Sequence, residues 1–194
     1  MYYSDFDKNG STETVVTIAK NGKYYPFVSL DDLYGQLVSL KKKFPNYRDF
    51  AGRSIDEIFD PGILKEAVAL EVNELRSGYL KNDNGRFTFV PFGFKIQVAP
   101  ITSLLEYDFD NDGKTEILAA GNYFGVKPQQ GRFDSFSGVL IKNEKEIRSS
   151  YEIGLNLIRK PVRHLNIITI DGRHFLLATV NNDKVQVYKL NEYN

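Results

Sequence analysis

Two short stretches of the sequence carry acidic side chains at alternate positions and could bind a cation. The first reads DFDKNGSTE at residues 5–13, and the second reads DFDNDGKTE at residues 108–116. Calcium takes six to eight oxygen ligands at roughly 2.3 to 2.6 Å, so alternate side chains must converge while a glycine permits a sharp turn. Both stretches have this spacing, with glycine at the sixth position. They predict two calcium-binding loops.

In each predicted site, four side chains and one backbone carbonyl supply the oxygen ligands. In the first loop these are Asp5, Asp7, Asn9, the carbonyl of Ser11, and Glu13. In the second loop they are Asp108, Asp110, Asp112, the carbonyl of Lys114, and Glu116. The second loop should bind more tightly, because it has four carboxylates where the first has three and an amide. The alternative is a solvated acidic turn whose side chains only make turn hydrogen bonds.

The residues after each loop favour a β-hairpin over an EF-hand. An EF-hand needs a glutamate at its twelfth position and a helix after it, but that position is Val16 in one loop and Ala119 in the other. Short apolar runs follow instead, TVVTIAK and ILAAGNY, which are typical of buried strands. The predicted calcium loops therefore join strands.

An internal repeat extends this pattern. The stretch DGKTEILAAGN at residues 112–122 matches DGRHFLLATVN at residues 171–181, a spacing of 59 residues. This third copy keeps an Asp-Gly turn between apolar runs, which predicts a tight hairpin, but Ile167, Thr169 and Phe175 replace three of the acidic residues. The two acidic loops are 103 residues apart, so an insertion is expected between them.

The insertion is predicted at about residues 27–66 and is helical. Ser29 with Asp32, and Ser54 with Glu57, have the spacing of capping boxes, and Pro61 with the glycine after it is expected to end the second helix. The first helix is expected to run as one piece, with apolar residues at helical spacing: Leu30, Leu33, Leu37, Leu40 and Phe44.

Short β runs separated by turns fill the rest of the sequence, including RFTFVPF, HLNIITI, HFLLATV and KVQVYKL. Regular strands in repeats of about 60 residues indicate radial or stacked antiparallel sheets. We therefore expect a mainly β fold of antiparallel β-propeller-type blades, forming a partial propeller with a small helical insertion. Residues 1–194 are interpreted as a single repeat domain.

Composition excludes several classes of protein. The chain has 194 residues with 25 basic and 25 acidic side chains, so no overall field attracts nucleic acid. No run approaches the roughly 18 apolar residues of a membrane span. The absence of cysteine excludes disulfides, thiol nucleophiles and thiolate metal sites. We expect neither a nucleic-acid partner nor a membrane span.

The two loops, each followed by an apolar strand, resemble the calcium loops of FG-GAP or VCBS repeats, the blade units of integrin-α-type β-propellers. Four segments, at residues 24–59, 79–101, 121–134 and 181–190, are together similar to the C-terminal region of large VCBS-repeat proteins of Bacteroidetes related to the ASPIC/UnbV group. The resemblance covers nearly the whole chain.

This resemblance implies a calcium-binding propeller of a secreted or cell-surface protein that serves adhesion or ligand recognition. Family members are longer and exported, whereas the start of this sequence lacks the pattern of a signal peptide, and we expect none in it. Three recognisable hairpins also fall short of the four to eight blades of a closed propeller. We expect a C-terminal piece of a larger protein, with the missing upstream blades of that protein as partners and an extracellular, periplasmic or cell-surface location.

The segment GNYFGVKPQQGRFD at residues 121–134 is a candidate ligand surface. It combines aromatic and polar side chains suited to a sugar or a protein: Asn122, Tyr123, Phe124, Gln129, Arg132 and Asp134. The alternative is that its aromatic rings pack beneath the loop and its arginine pairs with its aspartate.

The sequence does not favour catalysis. His164 and His174 are the only histidines, and both lie in predicted strands. We predict a binding module and not an enzyme. A carbohydrate-active enzyme or its glycan-binding accessory domain is the principal alternative, and a purely architectural segment is another.

Overall fold

The computed structural model describes residues 1–128, 131–143 and 146–190. The chain divides into two compact units, Met1–Glu74 and Leu75–Asn194. Strand pairing is antiparallel, and the described residues form several small sheets, none of them closed. The predicted mainly β class is confirmed. The propeller arrangement and the single repeat domain stay predictions.

The first unit contains a three-stranded sheet and a separate hairpin. Its strands are β1 (Tyr2–Ser4), β2 (Glu13–Val15), β3 (Thr17–Lys20), β4 (Lys23–Pro26) and β5 (Val68–Ala69). The sheet has the order β2-β1-β5, and β3 pairs with β4. The first acidic loop connects β1 to β2.

Five short helices follow β4. They are α1 (Leu30–Gln36), α2 (Leu40–Lys43), α3 (Tyr47–Phe50), α4 (Ile55–Ile58) and α5 (Pro61–Glu66). Both predicted capping boxes form: the Ser29 backbone N–H donates to Asp32 at 3.1 Å, and the Ser54 backbone N–H donates to Glu57 at 2.9 Å. Each box satisfies a donor that the first helical turn leaves free.

The prediction of one long first helix was wrong. The helix ends at Gln36 and resumes at Leu40, near Gly35 and Ser39, which are weak helix formers. All five apolar residues of the predicted stripe are nevertheless buried. The two short helices therefore bury the same side chains that one long helix was expected to bury. They pack with Phe6, which follows β1, and Val15, which ends β2.

Pro61 was also misassigned. It begins α5, where the missing N–H of proline removes no helical hydrogen bond, and the Asp60 carboxylate caps this helix by accepting the Gly62 N–H at 2.7 Å.

The elements of the second unit whose bounds lie within the described residues are nine strands and two short 3-10 helices. Its strands are β6 (Gly78–Asp83), β7 (Arg86–Pro91), β8 (Ile101–Tyr107), β9 (Glu116–Gly121), β10 (Val139–Ile141), β11 (Ile147–Ser149), β12 (Val162–Ile170), β13 (Arg173–Val180) and β14 (Gln186–Lys189). They form a four-stranded sheet β11-β10-β9-β8, a three-stranded sheet β12-β13-β14, and the hairpin β6-β7. The 3-10 helices are Phe94–Ile96 and Ser150–Ile153.

The hairpins β8-β9 and β12-β13 share backbone details that support the internal repeat. Both have a register shift near the start of the first strand, one at Ile101/Ser103 and the other at Val162/His164. Each hairpin is closed by an asparagine N–H that donates to a proline carbonyl, at 3.0 Å from Asn122 and at 2.9 Å from Asn181. The two hairpins differ at their tips.

The tip of β12-β13 is the predicted tight turn. Asp171 and Gly172 have φ values of 50° and 75°, as a two-residue type I′ turn requires. The tip of β8-β9 is the second acidic loop.

Strand β9 lies at the centre of the second unit and is buried on both faces. Leu118 and Ala120 pack in a core with Leu165 of β12 and Leu176 of β13. Ala119, on the opposite face, packs in a second core with residues that include Phe136. The strand that carries Glu116 is therefore held from both sides.

Candidate functional site

Both acidic loops connect neighbouring antiparallel strands at equivalent positions. Ser4 pairs with Glu13 across the first loop, and Tyr107 pairs with Glu116 across the second. A strand follows each loop, so neither is an EF-hand. This part of the sequence-based interpretation is confirmed.

The first aspartate of each loop organises the turn through backbone hydrogen bonds. Asp5 accepts the N–H groups of Asn9 at 3.0 Å and Gly10 at 2.9 Å. Asp108 accepts those of Asp112 at 3.2 Å and Gly113 at 3.0 Å. The two loops, 103 residues apart, thus have the same internal bonding.

The backbone of both loops bends in the same way. Lys8 and Asn111 have φ values of 59° and 57°, and Gly10 and Gly113 have φ values of 89° and 84°. A positive φ is readily adopted by glycine and strains residues with a Cβ. The glycine at the sixth position is therefore required by the turn, as the sequence pattern predicted.

The last acidic residue of each loop is buried. Glu13 is 5% exposed and Glu116 is 1% exposed. Each accepts a backbone N–H through Oε2, from Phe6 at 3.0 Å and from Phe109 at 2.9 Å. Burying a carboxylate is costly unless it is paired or coordinates a metal, and one hydrogen bond uses only part of its accepting capacity.

The loops bring three carboxylates together in each case. Ligand oxygens of Asp5, Asp7 and Glu13 all lie within 4.8 Å of one another, and so do those of Asp108, Asp110 and Glu116. Two acidic clusters could therefore hold a metal ion.

The remaining predicted ligands have other described contacts. The Asn9 side chain accepts the Ser11 N–H at 2.7 Å, and Asp112 Oδ1 accepts the Lys114 N–H at 2.9 Å. These bonds hold the second half of each turn. They involve the backbone N–H groups of Ser11 and Lys114. Ion binding by the carbonyls of these two residues stays a prediction.

Each cluster contains a buried carboxylate oxygen that accepts no hydrogen bond from the described residues. These atoms are Asp7 Oδ1 and Glu116 Oε1. Buried polar atoms are normally hydrogen-bonded, and exceptions often mark a missing ion or water. The donor set is all oxygen, which suits a hard cation such as calcium or magnesium. On this test the residues fit a divalent ion.

A lysine that the sequence analysis did not identify lies at the second loop. Lys142 Nζ donates to Asp110 Oδ2 at 2.7 Å and to Asp112 Oδ2 at 2.6 Å, and it lies 3.8 Å from Glu116 Oε1. The hydrogen bond from Lys142, together with the Lys114 N–H, holds the pKa of Asp112 below its ordinary value. In return, Asp110 and Asp112 raise the pKa of Lys142.

The candidate ligand segment forms a small hairpin-like excursion in its described part. Tyr123 and Phe133 exchange backbone hydrogen bonds of 2.8 and 3.0 Å. Phe124 lies under the guanidinium of Arg132, 5.0 Å from ring to charge, and Asp134 is half-buried. Gln129 lies outside the described residues.

Asn122 is fully buried and has a structural role. Its side-chain amide donates to the carbonyls of Phe136 at 2.8 Å and Lys160 at 3.1 Å, and its Oδ1 accepts the Phe136 N–H at 2.9 Å. These bonds join the end of β9 to the segment before β10 and to the segment before β12. Asn122 therefore positions the excursion and offers no free group to a ligand.

The excursion borders a cavity of about 380 Å³. Phe124 and Arg132 line it together with Arg159, Lys160 and Asn181. Asn182 and Asp183 also line it, so its wall combines an aromatic ring, three cationic groups, two amides and one carboxylate.

Comparison with known proteins gives no family for the chain. No protein-family model, curated protein or solved structure matches it. The resemblance to FG-GAP or VCBS repeats therefore rests on the loop residues and their spacing. No helix among the described residues is both long and apolar enough to cross a membrane.

The two histidines lie on neighbouring strands of one sheet. His164 is exposed on β12, and His174 on β13 hydrogen-bonds through Nδ1 to the Thr169 hydroxyl at 3.0 Å. His174 also contacts the Tyr107 ring, with ring centres 6.0 Å apart. In the described part of the chain, both histidines therefore lie at the surface of a sheet.

Proposed function

We propose that the protein is a calcium-binding, β-propeller-type repeat module of a secreted or cell-surface protein, in which calcium is structural and the surface serves ligand recognition or adhesion. The observation that carries this proposal is the pair of equivalent loops, each with three converging carboxylates and one buried oxygen that no described residue contacts as a hydrogen-bond donor. Such a repeated arrangement supports a common ligand for both loops.

The ligand chemistry favours calcium. The three clustered carboxylates of each loop, with the side-chain oxygen and the carbonyl predicted beside them, provide oxygen ligands from a curled backbone. Calcium accepts many oxygens in flexible geometry, whereas magnesium demands a near-ideal octahedron and keeps several waters. We therefore propose calcium for both loops, with the carbonyls of Ser11 and Lys114 completing the ligand sets.

Calcium would act by stabilising the fold. The carboxylates of one cluster repel each other when no cation neutralises them, and the buried Glu13 and Glu116 gain most from neutralisation. A ligand that binds only the folded chain stabilises it by mass action, by about 2.7 kcal/mol when its concentration is about 100 times Kd.

Thermal unfolding in EDTA and in about 1 mM calcium, the range of extracellular modules, tests the proposal. With Kd values of about 10⁻⁴ to 10⁻³ M, as in extracellular modules, this concentration stabilises by about 0.4 to 1.4 kcal/mol per site. For a chain of this size that corresponds to a rise in Tm of about 1 to 6 °C per site. Equal magnesium should give a much smaller rise. Asp7→Ala and Asp110→Ala should each reduce the calcium effect, and Asp56→Ala, an exposed aspartate outside both loops, serves as the control. A Tm that calcium leaves unchanged would refute the calcium assignment.

The cavity beside Phe124 and Arg132 supports a recognition function and favours glycans as one class of ligand. Sugars are bound by aromatic faces and by groups that form several hydrogen bonds, and cationic groups add selectivity for acidic sugars. Binding to a glycan array that Arg132→Ala abolishes would support a glycan-binding module. Release of reducing ends would instead support the alternative of a carbohydrate-active enzyme.

A further inference from the structure

Lys142 distinguishes the second acidic loop from the first. Its ammonium lies 2.7 Å from Asp110 Oδ2, 2.6 Å from Asp112 Oδ2 and 3.8 Å from Glu116 Oε1. Asp110 and Glu116 belong to the cluster of converging ligands. An internal cation thus bonds to the same carboxylates that the proposed calcium ion requires.

The sheet fixes this lysine in place. Ile141, the last residue of β10, pairs with Ile117 of β9, so the next residue, Lys142, is brought beside Glu116. The Lys142 N–H also donates to the Glu146 carbonyl at 3.0 Å. Both backbone contacts hold the lysine at the loop, and its side chain is only 27% exposed.

The first loop has no such cation among its described contacts. In the described part of the chain, no ion pair joins Asp5, Asp7 or Glu13 to a lysine or arginine. The two loops share the backbone hydrogen bonds that their first aspartate accepts, and the second adds one from the Asp112 N–H to Asp110 Oδ1 at 3.2 Å. The lysine is the difference in direct ion pairing between the two loops, which also differ in charge at Asp112, where the first loop has Asn9.

An ammonium and a calcium ion cannot share these oxygens without repulsion. A calcium ion would lie roughly 2.3 to 2.6 Å from its ligand oxygens, which places it within a few ångströms of the Lys142 Nζ. Two cations at that distance repel strongly where solvent screening is weak. Binding at the second loop must therefore move the lysine away.

The structure has room for that movement. A cavity of about 400 Å³ is lined by Lys142 together with Asp110, Glu146 and Glu152. Arg148 also lines this cavity and pairs with Glu146 at 2.6 Å, so Glu152 is the carboxylate of the lining that the displaced lysine can approach without competing with that arginine.

We propose that Lys142 is a tethered competitor of the divalent cation at the second loop, so that the first loop fills at lower free calcium and the second fills only as Lys142 is displaced. This inference rests on the proposed calcium function of the loops. It reverses the order of affinities expected from carboxylate count alone, because the fourth carboxylate, Asp112, is bonded to the lysine.

Calorimetric titration with calcium alone tests the inference in an Asp7→Ala background, where the second loop is the remaining site. Lys142→Met should raise the affinity of that loop roughly tenfold or more, since affinity in such loops depends on ligand charge. Lys184→Met, an exposed lysine whose loss changes the net charge equally, is the matched control and should leave the affinity unchanged. Lys142→Gln provides the same comparison if the methionine variant does not fold.

Thermal unfolding in EDTA provides a second measurement. Lys142→Met should lower Tm without calcium, because Asp110, Asp112 and Glu116 lose their counter-ion, and calcium should then raise Tm by more than it does in the unsubstituted chain. Equal calcium affinities with and without Lys142, while Asp7→Ala still removes a site, would overturn the inference and leave the proposed function intact. Absence of calcium binding to the unsubstituted chain and to every variant would overturn both.

Discussion

Replacing Asn122 with glycine should destabilise the second unit by about 3 kcal/mol. The substitution removes two donated hydrogen bonds and one accepted bond, each worth about 1 kcal/mol net at groups that burial keeps from water. Asn122 has a φ of 80°, which glycine adopts without strain. The loss therefore reports the hydrogen bonds and the removed side-chain packing.

Asn122→Ala separates the backbone contribution from the hydrogen bonds. Alanine loses the same bonds and must also hold a left-handed conformation, which costs about 1 kcal/mol more. The expected fall in Tm is about 6 to 12 °C for the glycine variant, given about 2 to 4 °C per kcal/mol for a chain of this length, and the fall is larger for alanine.

Urea denaturation followed by far-ultraviolet circular dichroism measures these losses. Asn166→Ala is the matched control, since Asn166 is exposed on β12 and should change stability by less than about 0.5 kcal/mol. A loss below about 1 kcal/mol in Asn122→Gly would refute the structural role of the amide. Equal losses in the glycine and alanine variants would refute the backbone argument.

Two further predictions concern local features of the fold. Hydrogen bonds from the Ser54 side chain and backbone lower the pKa of Glu57 to about 2 from 4.5. The ionised Glu57 therefore stabilises the fold fully above pH 4.5, and this contribution is lost as pH falls toward 2. Between these pH values, the urea midpoint of Glu57→Gln should change less than that of the unsubstituted chain. Gly121→Ala should destabilise by about 3 kcal/mol, because an added Cβ would lie 2.0 Å from the Pro100 carbonyl oxygen. Gly35→Ala lies in α1 with no atom within 4 Å of the added Cβ and should stabilise the fold by up to about 1 kcal/mol. Thermal unfolding of the two glycine variants measures both changes. Equal changes in Tm would contradict the steric argument.

Features that depend on neighbours in the sequence were predicted correctly. The acidic loops follow from the alternation of side chains and the glycine at Gly10 and Gly113, because a turn of this kind needs a positive φ at that position. The capping boxes at Ser29 and Ser54 and the tight turn at Asp171 follow from equally short patterns. Each is decided by hydrogen bonds that span a few residues.

Features that depend on distant parts of the chain were missed or misassigned. The role of Asn122 depends on carbonyls 14 and 38 residues away. No pattern near Asn122 in the sequence distinguishes a buried amide from one that contacts a ligand.

The sequence by itself therefore determined which side chains can meet a cation and the hairpins that carry them, because alternation, glycine and turn chemistry act locally. Only the tertiary structure decided which carboxylates are buried and which already have a partner. Glu116 is buried because β9 is packed on both faces, and Lys142 reaches the loop because β10 pairs with β9. The glutamates of both loops are buried, so it is the lysine, placed by the pairing of strands, that distinguishes two loops that look alike as sequences.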